Sequence, residues 1–224
     1  MDSTLHLLLA TVAFLVLHVF PSTPLRAQAV KVLGEGPYLG LFSLLSAAGL
    51  VWMAVAYGRT PMDALWPAQH FVPVYVLPFA FVLLSCGLLA RNPTLAGQAG
   101  VLKHGDAARG ILRITRHPVM WAIMLWAGAH MLAIGSIRSV VLFGGLLLLA
   151  AAGTMLQDAR KAKALGDDWE RFAASTSNLP FLAIAQGRTK LAWKEIGWWR
   201  PAAGLVLFGV VLYFHPWLFG YRPY

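Results

Sequence analysis

Two of the seven histidines in this chain fall in or beside one apolar stretch, where Arg116-His117-Pro118 leads into Trp126-Ala-Gly-Ala-His130. An ionisable side chain at hydrocarbon depth is costly without a partner, so it marks a candidate functional site. His18, near the end of the first apolar stretch, poses the same question. His6 and His215 fall near the far ends of the first and last stretches, where a snorkelling or capping role is expected. His70 and His104 fall in connections and are expected to be solvated.

Helix geometry limits how these groups can cooperate. His117 and His130 are thirteen residues apart on one helix, about 20 Å along its axis and about 140° around it, so they cannot ligate one ion. His6 and His18 fail likewise, at about 18 Å. A shared centre must therefore join different helices, and the first and fourth apolar segments are the obvious pair. The sequence has no His-Glu-x-x-His and no cysteine pair for zinc, and no carboxylate inside an apolar segment for a hard cation. Neutral imidazoles with apolar walls suit haem, whose iron takes one or two axial histidines. They equally suit histidines bonded to backbone or hydroxyl oxygens. Gly-rich phosphate loops, a Gly-x-Ser-x-Gly elbow and paired carboxylates are absent, and Ser46 and Ser85 lie in apolar segments without an evident base.

The elements that must position these residues are helices in a bilayer. Of 224 residues, 58% are hydrophobic and 12% charged, against roughly a quarter charged in a soluble domain. Six segments look long enough to cross a hydrocarbon core of ~30 Å: 4–20, 37–57, 73–90, 118–134, 138–156 and 201–219. The expected fold is a single all-α domain over 1–224, a polytopic helix bundle with an added amphipathic helix between Asp158 and Ala174, where Leu165, Trp169 and Phe172 recur at helical spacing. Trp193, Trp198 and Trp199 beside Lys194 and Arg200 suit an interfacial anchor before the last span. Small residues (Ala127-Gly128-Ala129, Ala133, Gly144, Gly145, Gly153) allow close helix approach or room for a flat ligand.

The net charge of +9 is a topology signal. Fifteen Lys and Arg fall in 21–36, 91–117 and 157–200, and only Arg59, Arg138 and Arg222 fall in the alternate connections. The positive-inside rule assigns the fifteen to the cytoplasm and both termini to the other side. The basic face would meet lipid headgroups, not nucleic acid. The lone Cys86 cannot form an internal disulfide and is expected to be an apolar packing residue. Ala27-Gln28-Ala29 resembles a signal-cleavage site, but the preceding flank carries Asp2 and no Lys or Arg, so the first span is expected to be retained.

The order of short motifs resembles the NnrU family of bacterial inner-membrane proteins. The matching pieces are His18-Val-Phe-Pro-Ser-Thr-Pro-Leu-Arg26, Gly36-Pro-Tyr-Leu-Gly-Leu-Phe-Ser43, Arg91-Asn-Pro-Thr94, Gly110-Ile-Leu-Arg-Ile-Thr-Arg-His-Pro118, Trp126-Ala-Gly-Ala-His130 and Thr176-Ser-Asn-Leu-Pro180. The resemblance implies a multi-pass protein associated with denitrification, through the production or activity of nitrite and nitric oxide reductases. The family is also similar to plant 15-cis-zeta-carotene isomerase, which uses haem b with histidine ligation. Carried over by motif, haem b would be ligated by His18 and His130, with His18 and His117 as the rival pair and Arg116 and Trp126 beside them. Its ligands would be nitric oxide or an apolar polyene. The isomerase has a cysteine three residues before the last histidine, and Ala127 occupies that place here.

A second resemblance, to isoprenylcysteine methyltransferases, implies S-adenosylmethionine as the alternative cofactor. It rests on Arg116-His-Pro118, Asp158, Gly166-Asp-Asp-Trp-Glu-Arg-Phe172 and Leu179-Pro180. The tyrosine usual after Arg-His-Pro and the paired glutamates on the following helix are missing.

Overall fold

Long apolar runs alternating with Gly-, Pro- and charge-rich connections fold as an all-α membrane bundle. The structure, a computed structural model, describes residues 2–95, 97–104 and 107–221, with the backbone alone at His104. Arg222 of the charge pattern and the His104 side chain lie outside the described residues. Helix α1 (Ser3–Val19) is capped by Asp2, whose carboxylate accepts the Thr4 N–H. A 3₁₀ turn over Phe20–Ser22 leads into α2 (Leu25–Leu33), a short helix outside the six expected segments. Then come α3 (Glu35–Arg59), α4 (Phe71–Leu89) and α5 (Pro118–Ile134). A single turn, α6 (Ile137–Ser139), runs through a π-helical segment, Val140–Gly144, into α7 (Gly145–Leu165). The chain ends with α8 (Asp167–Ser175), the short α9 (Leu182–Ala185) and α10 (Trp193–Ile196), and α11 (Trp199–Phe219).

Five helices among the described residues are long and apolar enough to cross a membrane: Ser3–Ser22, α3, α4, the continuous Ile137–Leu165 run and α11. The remaining expected span, α5, the fourth in chain order, has 17 residues, about 25 Å of helix against a core of ~30 Å. Its length is set at both ends. Pro118 bars helical backbone at His117, and Gly135 closes the far end in a left-handed conformation, φ +63°. The fifth span outruns its expected end at 156, because no breaker intervenes before Gly166 at φ +50°. That glycine also splits the expected Asp158–Ala174 helix, leaving α8 to bury Trp169 and Phe172.

Packing runs in one series: α3 on α1, α1 on α7, α7 on α5, α5 on α4, and α4 on α11. Glycines set two of these approaches. A Cβ on Gly145 would lie 2.5 Å from Thr11 Cγ2, and one on Gly204 would lie 2.6 Å from the Phe81 carbonyl oxygen. Gly128, by contrast, faces open space.

Successive spans alternate in direction, as the charge pattern requires. At one end Arg160 donates to Pro21 O (3.4 Å), Lys161 to Pro93 O (2.6 Å) and Ser85 to Arg200 O (2.8 Å). At the other, Thr60 donates to Ser3 O (3.2 Å), Trp66 to Leu132 O (3.1 Å) and Arg138 to Thr60 O (3.2 Å). The basic connections therefore share one end. A small core there, built from Cys86, Leu112, Ile114, Trp169, Phe172 and Ile196, gives it a fold of its own. Cys86 is fully buried in that core, as expected of a packing residue.

Candidate functional site

The Arg116-His117-Pro118 junction is the best-determined polar site. The proline directs the chain out of α5 at its first turn, so Arg116 and His117 leave the helix and meet Asp158 on the last turns of α7. Arg116 donates to both Asp158 oxygens, Nε lying 3.1 and 2.9 Å from Oδ1 and Oδ2 and Nη2 completing the fork. His117 Nε2 lies 2.7 Å from Oδ1. The imidazole is fully enclosed, and its Nδ1 is buried without a hydrogen-bond partner. The carboxylate is thus saturated by one guanidinium and one imidazole.

The segment 176–180 docks onto this junction and shields it. Arg116 N–H donates to Ser177 O (2.9 Å), Thr115 Oγ1 to Asn178 O (2.6 Å), Trp121 Nε1 to the same carbonyl (2.9 Å), and Asn178 Nδ2 to Thr154 Oγ1 (2.8 Å). Two motifs some sixty residues apart, 110–118 and 176–180, are therefore one structural unit. Asn92, fully buried, organises a third by accepting from Thr94 N and Oγ1, while the buried Lys161 ammonium seals it on Pro93 O.

His130 sits in a different environment. Its Nδ1 lies 2.8 Å from Trp126 O one helical turn back, and its ring packs against Trp126 and, nearly parallel, against Phe143 of the π segment, both at 5.2 Å. Nε2 has no hydrogen-bond partner among the described residues. His18 is built in the same way: Nδ1 lies 2.9 Å from Phe14 O, and the ring lies between Phe14 (4.1 Å) and Phe42 (5.3 Å). In both, the helix carbonyl fixes the Nδ1–H tautomer and leaves Nε2 free, the orientation required of a metal-ligating imidazole. Either residue fits a haem iron in donor type and in apolar, aromatic surroundings.

The structure brings Arg116 and His117 together, and Trp126 and His130 together. His18 stands in a third group. It is one residue from the end of α1, whereas His130 is twelve residues, about 18 Å, along α5 from the same end of the molecule. The hydrogen-bond and ring partners given above for the two imidazoles do not overlap, and α7 packs against both of their helices. Among the described residues no three His, Cys, Asp or Glu side chains converge as a metal cluster. His6 accepts from Trp52 Nε1 (2.7 Å), and His215 and His70 both meet Tyr221, by its carbonyl (2.8 Å) and its hydroxyl (2.9 Å). The Lys161 contact carried no local signal, because its acceptor, the Pro93 carbonyl, lies sixty-eight residues away, whereas Asn92 bonds only to near neighbours in sequence.

Comparison with known proteins agrees with the order of the motifs. The family model described as NnrU protein matches residues 6–223. The chain belongs to the NnrU family. This NnrU-family chain is also similar to the chloroplastic 15-cis-zeta-carotene isomerase of Zea mays, with 32% identity over 190 residues, covering 83% of this chain and 52% of that protein. The chloroplastic 15-cis-zeta-carotene isomerase of Arabidopsis thaliana is 32% identical over 129 residues, 58% of this chain and 32% of that protein. The chain spans about half, or less, of the length of these relatives. No solved structure matches.

Proposed function

We propose that this protein is a haem b-binding membrane isomerase acting on a lipid-soluble polyene, with His130 as the residue that would hold the iron. The observation that carries the proposal is the likeness to 15-cis-zeta-carotene isomerase over 83% of the chain. The free Nε2 of His130, held against Trp126 and Phe143, supports it. Cis-to-trans isomerisation changes no atom count and needs only a transient lowering of one double-bond order. Haem iron, if bound there, would supply reversible electron exchange of that kind. Trp126 and Phe143 would keep water from the ligand nitrogen, and the Trp126 carbonyl would hold the imidazole in one tautomer. His18, with the same tautomer lock, is the second candidate ligand. The enclosed Arg116–Asp158–His117 group would fix the start of α5, and so the depth of His130, without touching substrate.

Haem held at this site would also offer chemistry suited to nitric oxide, which would fit a setting in denitrification. On this reading the protein lies in a bacterial inner membrane, basic end in the cytoplasm and both termini periplasmic.

Absorption spectra of detergent-purified protein test the proposal. Wild type should show a Soret band that His130→Ala abolishes, while His18→Ala alters it only if the second imidazole also binds. Absence of pigment after haem supplementation overturns haem binding. Chromatography of an added 15-cis polyene then reads isomerisation, and nitric oxide titration of the pigment reads the alternative setting. Calorimetric binding of S-adenosylmethionine, dependent on His117, would instead favour the methyltransferase resemblance.

A further inference from the structure

A cavity of ≈ 220 Å³ opens at the basic end between the last turn of α4, the 3₁₀ turn Gly110–Arg113, α10 and the first turn of α11. Its charged lining is Arg91, Arg109, Arg200 and Glu195. The single carboxylate is already committed. Glu195 takes Arg113 Nε at 2.8 Å, Arg113 Nη2 at 3.0 Å and the Gly110 N–H at 2.9 Å, and the Arg113 contact holds its carboxyl below the usual glutamate range. What remains is three guanidiniums facing one space.

Those guanidiniums are short of acceptors. The side chains of Arg91 and Arg109, at the exposed mouth, make no hydrogen bond or ion pair among the described residues, Arg109 lying only within electrostatic reach of Glu195. Arg200 donates through Nη1 to Ile196 O (2.7 Å), but its Nε is buried with no partner. A guanidinium is a donor only, so no rearrangement among these three can satisfy them. The missing component is an acceptor-rich anion, and planar guanidinium forks match phosphate oxygens.

We propose that this cavity binds a phosphate group. Its volume lies below the roughly 300–1,000 Å³ of a typical small-molecule site, which suits a single headgroup rather than a nucleotide. Its level in the fold suits a lipid source. Arg200 begins α11 beside Trp198 and Trp199, exposed indoles of the kind that mark the membrane interface. Inorganic phosphate offers the same chemistry from solution. The site is separate from the His130 pocket and stands independently of the isomerase reading.

The test uses the full chain in uncharged detergent, with equilibrium binding of inorganic phosphate and of dioctanoyl phosphatidate at ionic strength matched with chloride. Saturable binding is expected, weakened about tenfold or more by Arg91→Gln and by Arg109→Gln and unchanged by Arg59→Gln at the opposite end. Phosphatidate binding alone identifies a lipid headgroup, and phosphate binding alone or with it identifies the phosphate group as sufficient. Failure of both probes, or binding indifferent to Arg91 and Arg109, overturns the proposal. The Arg91 and Arg109 side chains are bonded to nothing described, so the unliganded melting midpoint should not move. Arg91→Lys and Arg109→Lys provide a second series should it do so.

Discussion

Removing the Asp158 carboxylate is the sharpest test of how the basic end is held. In Asp158→Ala, the Arg116 guanidinium, 15% exposed, keeps only the Thr176 carbonyl at 3.4 Å, and the fully enclosed His117 ring loses its one partner. Breaking a buried pair from one side costs about 3–5 kcal/mol. Asp158 is itself 20% exposed, so some water compensates and about 2–4 kcal/mol is expected here. At about 2–4 °C per kcal/mol for a chain of this size, the melting midpoint should fall by about 5–15 °C. The internal comparison is Glu195→Ala, which breaks a pair whose carboxylate is 32% exposed and should cost about 1 kcal/mol or less. Thermal unfolding in a fixed detergent, followed by near-UV circular dichroism, measures both. The double variant Arg116→Met/Asp158→Leu should recover at least half of the single loss, because no charge is then left buried. If Asp158→Ala costs no more than Glu195→Ala, the triad does not fix the α5–α7 junction.

Gly204→Ala should weaken the seating of α11 by about 1–3 kcal/mol, because the new methyl meets the Phe81 backbone and Ser85 Oγ at 2.5–2.6 Å; detergent-titrated unfolding reads this. Gly135→Ala combines positive φ with a 2.5 Å clash on Trp66 O and should loosen the Ala64–Trp66 connection, seen as faster proteolysis there. Glu195 is held below its ordinary value, so its stabilisation should be fully present above about pH 4.5 and fade as pH falls through the lowered value. The difference in midpoint between wild type and Glu195→Gln should therefore be constant from pH 5 to 8 and shrink in more acid buffer.

Much of the architecture is legible in the chain. The apolar runs, the skewed distribution of Lys and Arg, and the Pro and Gly stops at Pro118 and Gly135 locate the spans and their alternation. What escaped was contextual. Gly166 sits among helix formers, and only its positive φ reveals the break between α7 and α8. Asp158 stands in a basic segment, forty-two residues from Arg116, and only the methyltransferase resemblance set the two side by side, no periodicity joining them. The shortness of α5 matters less than its count suggests, because α4 and α7 cover its flanks. The histidines stand out in the sequence by type and by expected depth, and their grouping depends on helix order, which places α7 between α1 and α5.

The wide turn over Val140–Gly144 has a mechanical consequence. One residue more than an α-turn advances everything beyond it by about 100°. Before and within that turn, Arg138 lies over Tyr57 and Phe143 lies along His130; beyond it, Asp158 meets Arg116. A regular helix of the same sequence could satisfy one of these sets but not both. Deleting a single residue from the turn would thus rotate one half of the rod against the other, uncoupling the imidazole pocket from the charged latch.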